Sequence, residues 1–443
     1  MPYITETIQT QAVKALQELV AQPSFNQAPS SGAPFGKGIR MALDQMLAIC
    51  NQLGMRTYED PEGYYGYAEI GSGEEIFGVI GHLDTVPAGD PKAWDTDPFD
   101  PVIKDGVIFG RGTQDDKGPT IAALFALKAL LDAGMVPTKR IHFIFGTDEE
   151  ILWRGIAKYN EKEAPIDMGF SPDSEFPLTY AEKGLQQAYL IGPGTDLFAL
   201  HMDNAMNAVP GKADYDGPKL TEVKAALDQH GFEYEDHGTS ITVLGKSVHA
   251  MNAPQGVNAV LRLCIALDDV FDFAPLDLIG KCFLEDATGQ NLLGKVADES
   301  GQLTFNISSF EVSPKETRLQ IDLRIPVTID REQLVAQLSK RVQKYGLTYK
   351  HFDYLAPLYV PKESKLVQTL MKAYIHQTGD QGAQPEVVGG GTYGRLMKRG
   401  VAFGALMPTT TNTMHQANEF QPVNDLIMSM AIYMEAIHDL VTD

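Results

Sequence analysis

The sequence has 443 residues, 44% hydrophobic and 21% charged, which is enough for two domains with sizeable cores. Its 58 acidic residues against 36 basic ones give a formal net charge of -22, which argues against nucleic acid or an anionic membrane as a partner. Cys50, Cys264 and Cys282 show no C-x-x-C spacing, so they suit a reducing compartment and offer no thiolate metal site. Residues 1–7 lack a basic segment followed by an apolar core, and no stretch reaches the ~18 apolar residues of a membrane span. The expectation is a cytoplasmic protein without a signal peptide.

Apolar periodicity predicts helices over residues 5–21 and 39–53, joined by a loop rich in Pro, Ser and Gly. Strands follow near 55–58 and 65–70. The run Ile76-Phe77-Gly78-Val79-Ile80 reads as a buried strand and ends in Gly81-His82-Leu83-Asp84. In an extended chain His82 and Asp84 project from one side. A neutral imidazole is a good metal ligand, and a nearby carboxylate can fix its tautomer. Asp105-Gly106 between β-branched runs predicts a hairpin over 102–109. A helix is expected over 119–133, with Gly134 as its C-cap. The strand 140–145 leads into Asp148-Glu149-Glu150, and a short strand at 168–170 leads into Ser171-Pro172-Asp173.

The middle third changes character. Residues 199–242 and 305–349 each read strand, helix, strand, with a helix at 257–271 between them. Asp214-Tyr215-Asp216-Gly217 and Asp322-Leu323-Arg324-Ile325 occupy comparable places, as in an internal duplication. After residue 356 the alternating pattern returns: a helix at 364–378, the turn Gly389-Gly390-Gly391-Thr392-Tyr393, a strand at 402–406, a polar turn holding His415, and a last helix near Val423. The expected fold class is α/β: a mixed sheet flanked by helices, built from residues 1–184 and 356–443. An α+β lid domain with two similar halves, residues 185–355, interrupts it.

Acids or imidazoles recur at strand tips and helix starts: His82 with Asp84, Asp115 with Asp116, Asp148-Glu149-Glu150, Asp173 and His415. Functional groups of open α/β sheets gather at the carboxyl ends of strands, and this donor set suits Zn²⁺ or Mn²⁺. Each member also has a plain structural reading. Asp115 or Asp116 can cap a helix, the acidic trio can be a solvated turn, Asp173 can form a turn, and His415 can be a surface histidine.

The chain resembles the two-metal exopeptidase family that includes aminoacylase, succinyl-diaminopimelate desuccinylase and glutamate carboxypeptidase, and within it the bacterial peptidase V type dipeptidases. The resemblance rests on Gly81-His82-Leu83-Asp84-Thr85-Val86-Pro87, Phe109-Gly110-Arg111-Gly112 with Asp115-Asp116-Lys117-Gly118, Gly146-Thr147-Asp148-Glu149-Glu150 and Ser171-Pro172-Asp173. It continues with Gly245-Lys246-Ser247-Val248-His249-Ala250, the Gly389-Gly390-Gly391 turn and Met414-His415. Ile151-Leu152 depart from it, where a smaller or more polar residue is expected.

The resemblance implies a zinc-exopeptidase-like catalytic domain with two divalent ions, Zn²⁺ first and Mn²⁺ as the alternative. His82 and Asp173 would hold one ion, Glu150 and His415 the other, and Asp115 would bridge. Asp84 would orient His82, and Glu149 would be the general base. His249 would donate to the oxyanion, while Asn207, Arg324 and the turn Gly389, Gly390 and Gly391 would bind substrate. The reading is a monomeric dipeptidase acting on short peptides with a free carboxylate. An N-acyl amino acid deacylase and a non-catalytic peptide-binding protein are its rivals.

Overall fold

The computed structural model describes residues 3–442, and its contacts divide into two compact units. The first comprises the described residues of Met1–Ala181, Leu358–Glu386 and Gly391–Asp443. Its centre is a mixed sheet, nine-stranded among the described residues. The strand Ile76–His82 lies between Arg140–Gly146 and Met168–Ser171, parallel to both. Gly400–Ala402 continues the parallel set beyond Met168–Ser171. Parallel strands covered on both faces need continuous apolar runs rather than alternation. Accordingly, every residue of Ile76–His82 is buried, as is all of Arg140–Gly146 after Arg140.

The helix Lys117–Asp132 starts two residues before the expected position and packs against this sheet and against the helices Glu6–Val20 and Val423–Val441. It is buried over most of its length, with Lys128 and Asp132 near its C-terminal end reaching solvent. Asp116 stands at its N-cap without capping it. The Asp116 carboxylate instead accepts from the His82 N–H at 3.1 Å and the Thr120 hydroxyl at 2.9 Å, tying strand end to helix start. The expected hairpin forms with Asp105 and Gly106 both at positive φ, 52° and 76°.

The second unit comprises Glu182–Pro357 and Val387–Gly390. An antiparallel sheet runs in the order Thr304–Val312, Glu316–Ile325, Gly184–Pro193, Thr348–Leu355. Burial alternates along most of Gly184–Pro193, the pattern of a sheet packed on one face. The two stretches that resemble each other both deliver strand, helix and strand, but their strands pair differently. Lys212–Tyr215, Ile241–Leu244 and Tyr234–Asp236 close a three-stranded sheet of their own. Glu316–Ile325 and Thr348–Leu355 instead flank Gly184–Pro193, a strand from outside the repeat. Among the described residues no helix is long and apolar enough to cross a membrane.

Candidate metal centre

Strand register brings the sequence motifs together. His82 pairs with Gly146, and Val79 with Phe170. The segments holding Asp84, Asp148-Glu149-Glu150 and Asp173 therefore leave the same edge of the sheet. Gly81 makes the crossing of the strand end over the helix start sterically feasible: a Cβ there would lie 2.0 Å from Thr120 Oγ1 and 2.6 Å from Asp116 Oδ2.

Asp115 stands between two imidazoles. Its Oδ1 lies 3.0 Å from His82 Nε2, and its Oδ2 lies 2.9 Å from His415 Nε2. His82 Nε2 is 3.8 Å from Asp173 Oδ2, and His415 Nε2 is 3.1 Å from Glu150 Oε2. Among the described residues, two groups offer ligand atoms within 4.8 Å of one another: His82, Asp115 and Glu150, and His82, Glu149 and Asp173. Glu149 is thus a member of the second group, together with the two residues expected to share an ion. The expectation that the Asp84 carboxylate orients His82 needs adjustment. His82 Nδ1 meets the Asp84 backbone carbonyl at 2.9 Å, with the carboxylate at 3.6 Å. The carboxylate is turned toward the Glu150 N–H, from which it accepts at 3.1 Å.

His82, Asp84 and Asp115 are buried, whereas His415 sits in an exposed turn at φ 62°. A positive φ is costly for a residue with a Cβ and occurs where surrounding contacts enforce it. Burial pulls the His82 pKa down, but Asp115, hydrogen-bonded to it, and the nearby Asp84 carboxylate lift it well above the usual imidazole value. Hydrogen bonds to Asp115 and Glu150 push His415 up to about 10. Burial, then the Asp173 charge, raises Glu149 well above the carboxylate range. Asp84 Oδ1 and Glu150 Oε1 are buried without a hydrogen-bond partner. Carboxylates this dense and dry demand positive charge, and among the described residues the ion-pair partners of Asp115 and Glu150 are imidazoles. Nitrogen and oxygen donors in this arrangement fit divalent cations such as Zn²⁺ or Mn²⁺.

Two supports escaped the motif reading. Arg154 holds Asp148 through Nε and Nη2, both at 2.7 Å, and so fixes the turn that carries Glu149 and Glu150. The Tyr393 ring fills the space beside Gly146, where a Cβ would meet it at 2.3 Å, and its hydroxyl is buried without a partner. Tyr393 ends the glycine turn already quoted, but nothing local signals where its ring goes.

The remaining candidates, Gly391 apart, lie in the second unit. Arg324 is buried and grips Asp322 edge-on, Nε to Oδ1 at 2.8 Å and Nη2 to Oδ2 at 3.2 Å, while Nη1 donates to the Gly389 carbonyl at 2.7 Å. That edge is thus taken, and only the outer N–H groups remain for a ligand. Gly389 thus presents its carbonyl to Arg324. A Cβ on Gly390 would meet open space. Asn207 is exposed, and its carbonyl accepts from the Ala250 N–H at 2.8 Å. His249 Nδ1 accepts from the Met251 N–H at 3.2 Å, so the proton of the neutral ring sits on Nε2. Partial burial, then the Arg324 charge, lowers the His249 pKa. Gly391 belongs to the first unit.

Residues 78–439 match peptidase family M20/M25/M40. The chain is 36% identical over 459 residues to a Beta-Ala-Xaa dipeptidase of Lactobacillus delbrueckii subsp. lactis, covering 97% of this chain and 96% of that protein. Its fold is similar to that of an M20 family metallo-carboxypeptidase from Sulfolobus solfataricus, with a TM-score of 0.58 at 20% identity, covering 97% of this chain and 98% of that one. Human carnosine dipeptidase 1 also gives a TM-score of 0.58, at 16% identity over 99% of each chain. A match over so much of the chain, together with acids and imidazoles at one sheet edge, makes this protein a metallopeptidase of the M20/M25/M40 family.

Proposed function

We propose that the protein is a dipeptidase that hydrolyses short peptides with a free C-terminal carboxylate. The observation that carries this reading is Asp115, with one carboxylate oxygen toward His82 and the other toward His415. In it, His82 and Asp173 would hold one divalent ion and Glu150 and His415 the other, with Asp115 serving both. A shared anion reduces the repulsion between two dications ~3.5–4 Å apart. When bound, the ions lower the pKa of water toward ~7 and withdraw charge from the scissile carbonyl.

The chain's own groups do the rest. Glu149 takes the proton of the attacking water and passes it to the leaving amine. Arg324 reads the substrate carboxylate with its outer N–H groups, held by Asp322. His249, with its proton on Nε2, donates to the oxyanion, a contact worth ~10²–10³ in turnover. The family membership and the relative named a Beta-Ala-Xaa dipeptidase support this substrate class.

The deciding experiment loads the protein separately with Zn²⁺ and Mn²⁺ and compares hydrolysis of a dipeptide panel with that of the N-acetylated forms. Preference for the free amine supports the dipeptidase. Preference for the acetylated form makes the protein a deacylase, and no hydrolysis of either leaves a binding protein.

A further inference from the structure

The Asp115 loop and the His415 turn are far apart in sequence but locked together in space. Glu419 is fully buried, and its carboxylate sits inside the Asp115 loop. Its Oε1 accepts from the backbone N–H groups of Gly112 at 3.0 Å, Gln114 at 2.8 Å and Asp115 at 3.3 Å. Its Oε2 accepts from Arg111 Nη1 at 2.7 Å and also from the Gly112 N–H at 3.1 Å. Arg111 is itself buried, with its guanidinium over the Trp94 ring.

The grip is returned from the other side. Buried Gln114, next to Asp115, accepts through Oε1 from the Thr413 N–H at 2.9 Å and the Thr413 hydroxyl at 3.0 Å, and its Nε2 donates to the Thr411 carbonyl at 3.1 Å. The Glu419 carbonyl accepts from the Gly110 N–H at 3.0 Å. The turn that carries His415 is therefore pinned to the Asp115 loop on both sides, at Thr411–Thr413 and at Glu419. His415 between the pins is exposed and holds a positive φ, so its own packing does little to place it.

We propose that Glu419 and Gln114 are positioning residues that set the separation of Asp115 from His415, and through it the affinity of the cation position His415 shares with Glu150. This rests on the two-metal reading above. A carboxylate that gathers several backbone N–H groups fixes a loop more firmly than neutral contacts do. Partners that orient metal ligands typically change affinity 10–100-fold when lost. His82 belongs to the strand Ile76–His82, outside the clasp, whereas His415 lies between the pins, so the clasp acts on one position more than the other.

Cobalt(II) titration of the metal-free protein, followed by visible absorption and calorimetry, tests this. The wild type should take two Co²⁺. Gln114→Leu keeps shape and leaves Glu419 in place but removes the grip on Thr411 and Thr413; it should weaken one Co²⁺ ~10–100-fold and leave the other within about threefold. Thr413→Val, a milder change in a half-exposed residue, should shift the same ion in the same direction by less. Two Co²⁺ bound with wild-type affinity in both variants, or both ions weakened by the same factor, would overturn the positioning role. A wild type that takes fewer than two Co²⁺ would instead sink the two-metal reading.

Discussion

Arg324 and Asp322 are joined edge to edge inside the second unit, with Nε 2.8 Å from Oδ1 and Nη2 3.2 Å from Oδ2. The Asp322 side chain is fully buried, and Gln187 Nε2 donates to its Oδ2 at 2.9 Å. The guanidinium is therefore held in one orientation before any ligand arrives. Lysine is a single point charge and cannot keep both contacts to Asp322 and the one to Gly389. Arg324→Lys should raise KM for free dipeptides by ~10-fold or more with a small change in kcat, because ground state and transition state lose the contact equally. Dipeptide amides, expected to be poor substrates from the start, should lose little further. Steady-state kinetics on the matched pair checks this, and a fall in kcat at constant KM would remove Arg324 from carboxylate recognition.

Glu149 and Glu150 are neighbours with different expected roles. Glu149→Gln should keep metal content near the wild-type level and abolish most turnover. Glu150→Gln should lower occupancy of one ion, since Glu150 Oε2 faces His415. Metal content by elemental analysis beside kcat separates the two. If Glu149→Gln strips metal as readily as Glu150→Gln, the base and the ligand have been exchanged, which the closeness of Glu149 to His82 and Asp173 makes a pointed comparison.

Chain length of the substrate is a second probe of the carboxylate. A site that reads the terminal carboxylate in a closed cavity should cleave tetrapeptides and amidated dipeptides poorly. Liquid chromatography of the products from a series of two, three and four residues is sufficient. Tetrapeptide hydrolysis at the dipeptide rate would mean that the carboxylate goes unread.

Gly81→Ala tests how closely the metal-bearing strand end meets the helix. The added methyl would lie 2.0 Å from Thr120 Oγ1 and 2.6 Å from Asp116 Oδ2. Overpacking of this kind costs ~1–3 kcal/mol. The urea midpoint of the metal-free protein should fall accordingly, and an unchanged midpoint would show that the junction can give way.

Mixing two inactive variants addresses oligomeric state. His249→Ala and Glu149→Ala should stay inactive together if each chain uses its own His249, as expected of a monomer. Activity that returns on mixing and rises with protein concentration would mean that His249 acts across a dimer.

Local sequence determined the pieces of this protein. The run Ile76 to Ile80 reads as a buried strand because a parallel strand with both faces covered leaves no room for polar alternation. The Asp105-Gly106 hairpin and the helix ending before Gly134 follow from backbone preferences carried by a few adjacent residues. Strings such as Gly81-His82-Leu83-Asp84 carry their chemistry in their own residues, so the candidates could be named before their positions were known. Tertiary structure alone decided which groups meet. It turned the Asp84 carboxylate from His82 to the Glu150 N–H, spent one edge of Arg324 on Asp322, and set Glu419 inside a loop 304 residues away from it in sequence. The two similar stretches of the second unit show the same limit: each specifies strand, helix and strand, but only one finds Gly184–Pro193 as a partner. Propensity and spacing act over a few residues, whereas a hydrogen bond between distant segments depends on how every intervening element packs, and that leaves no periodic mark in the chain.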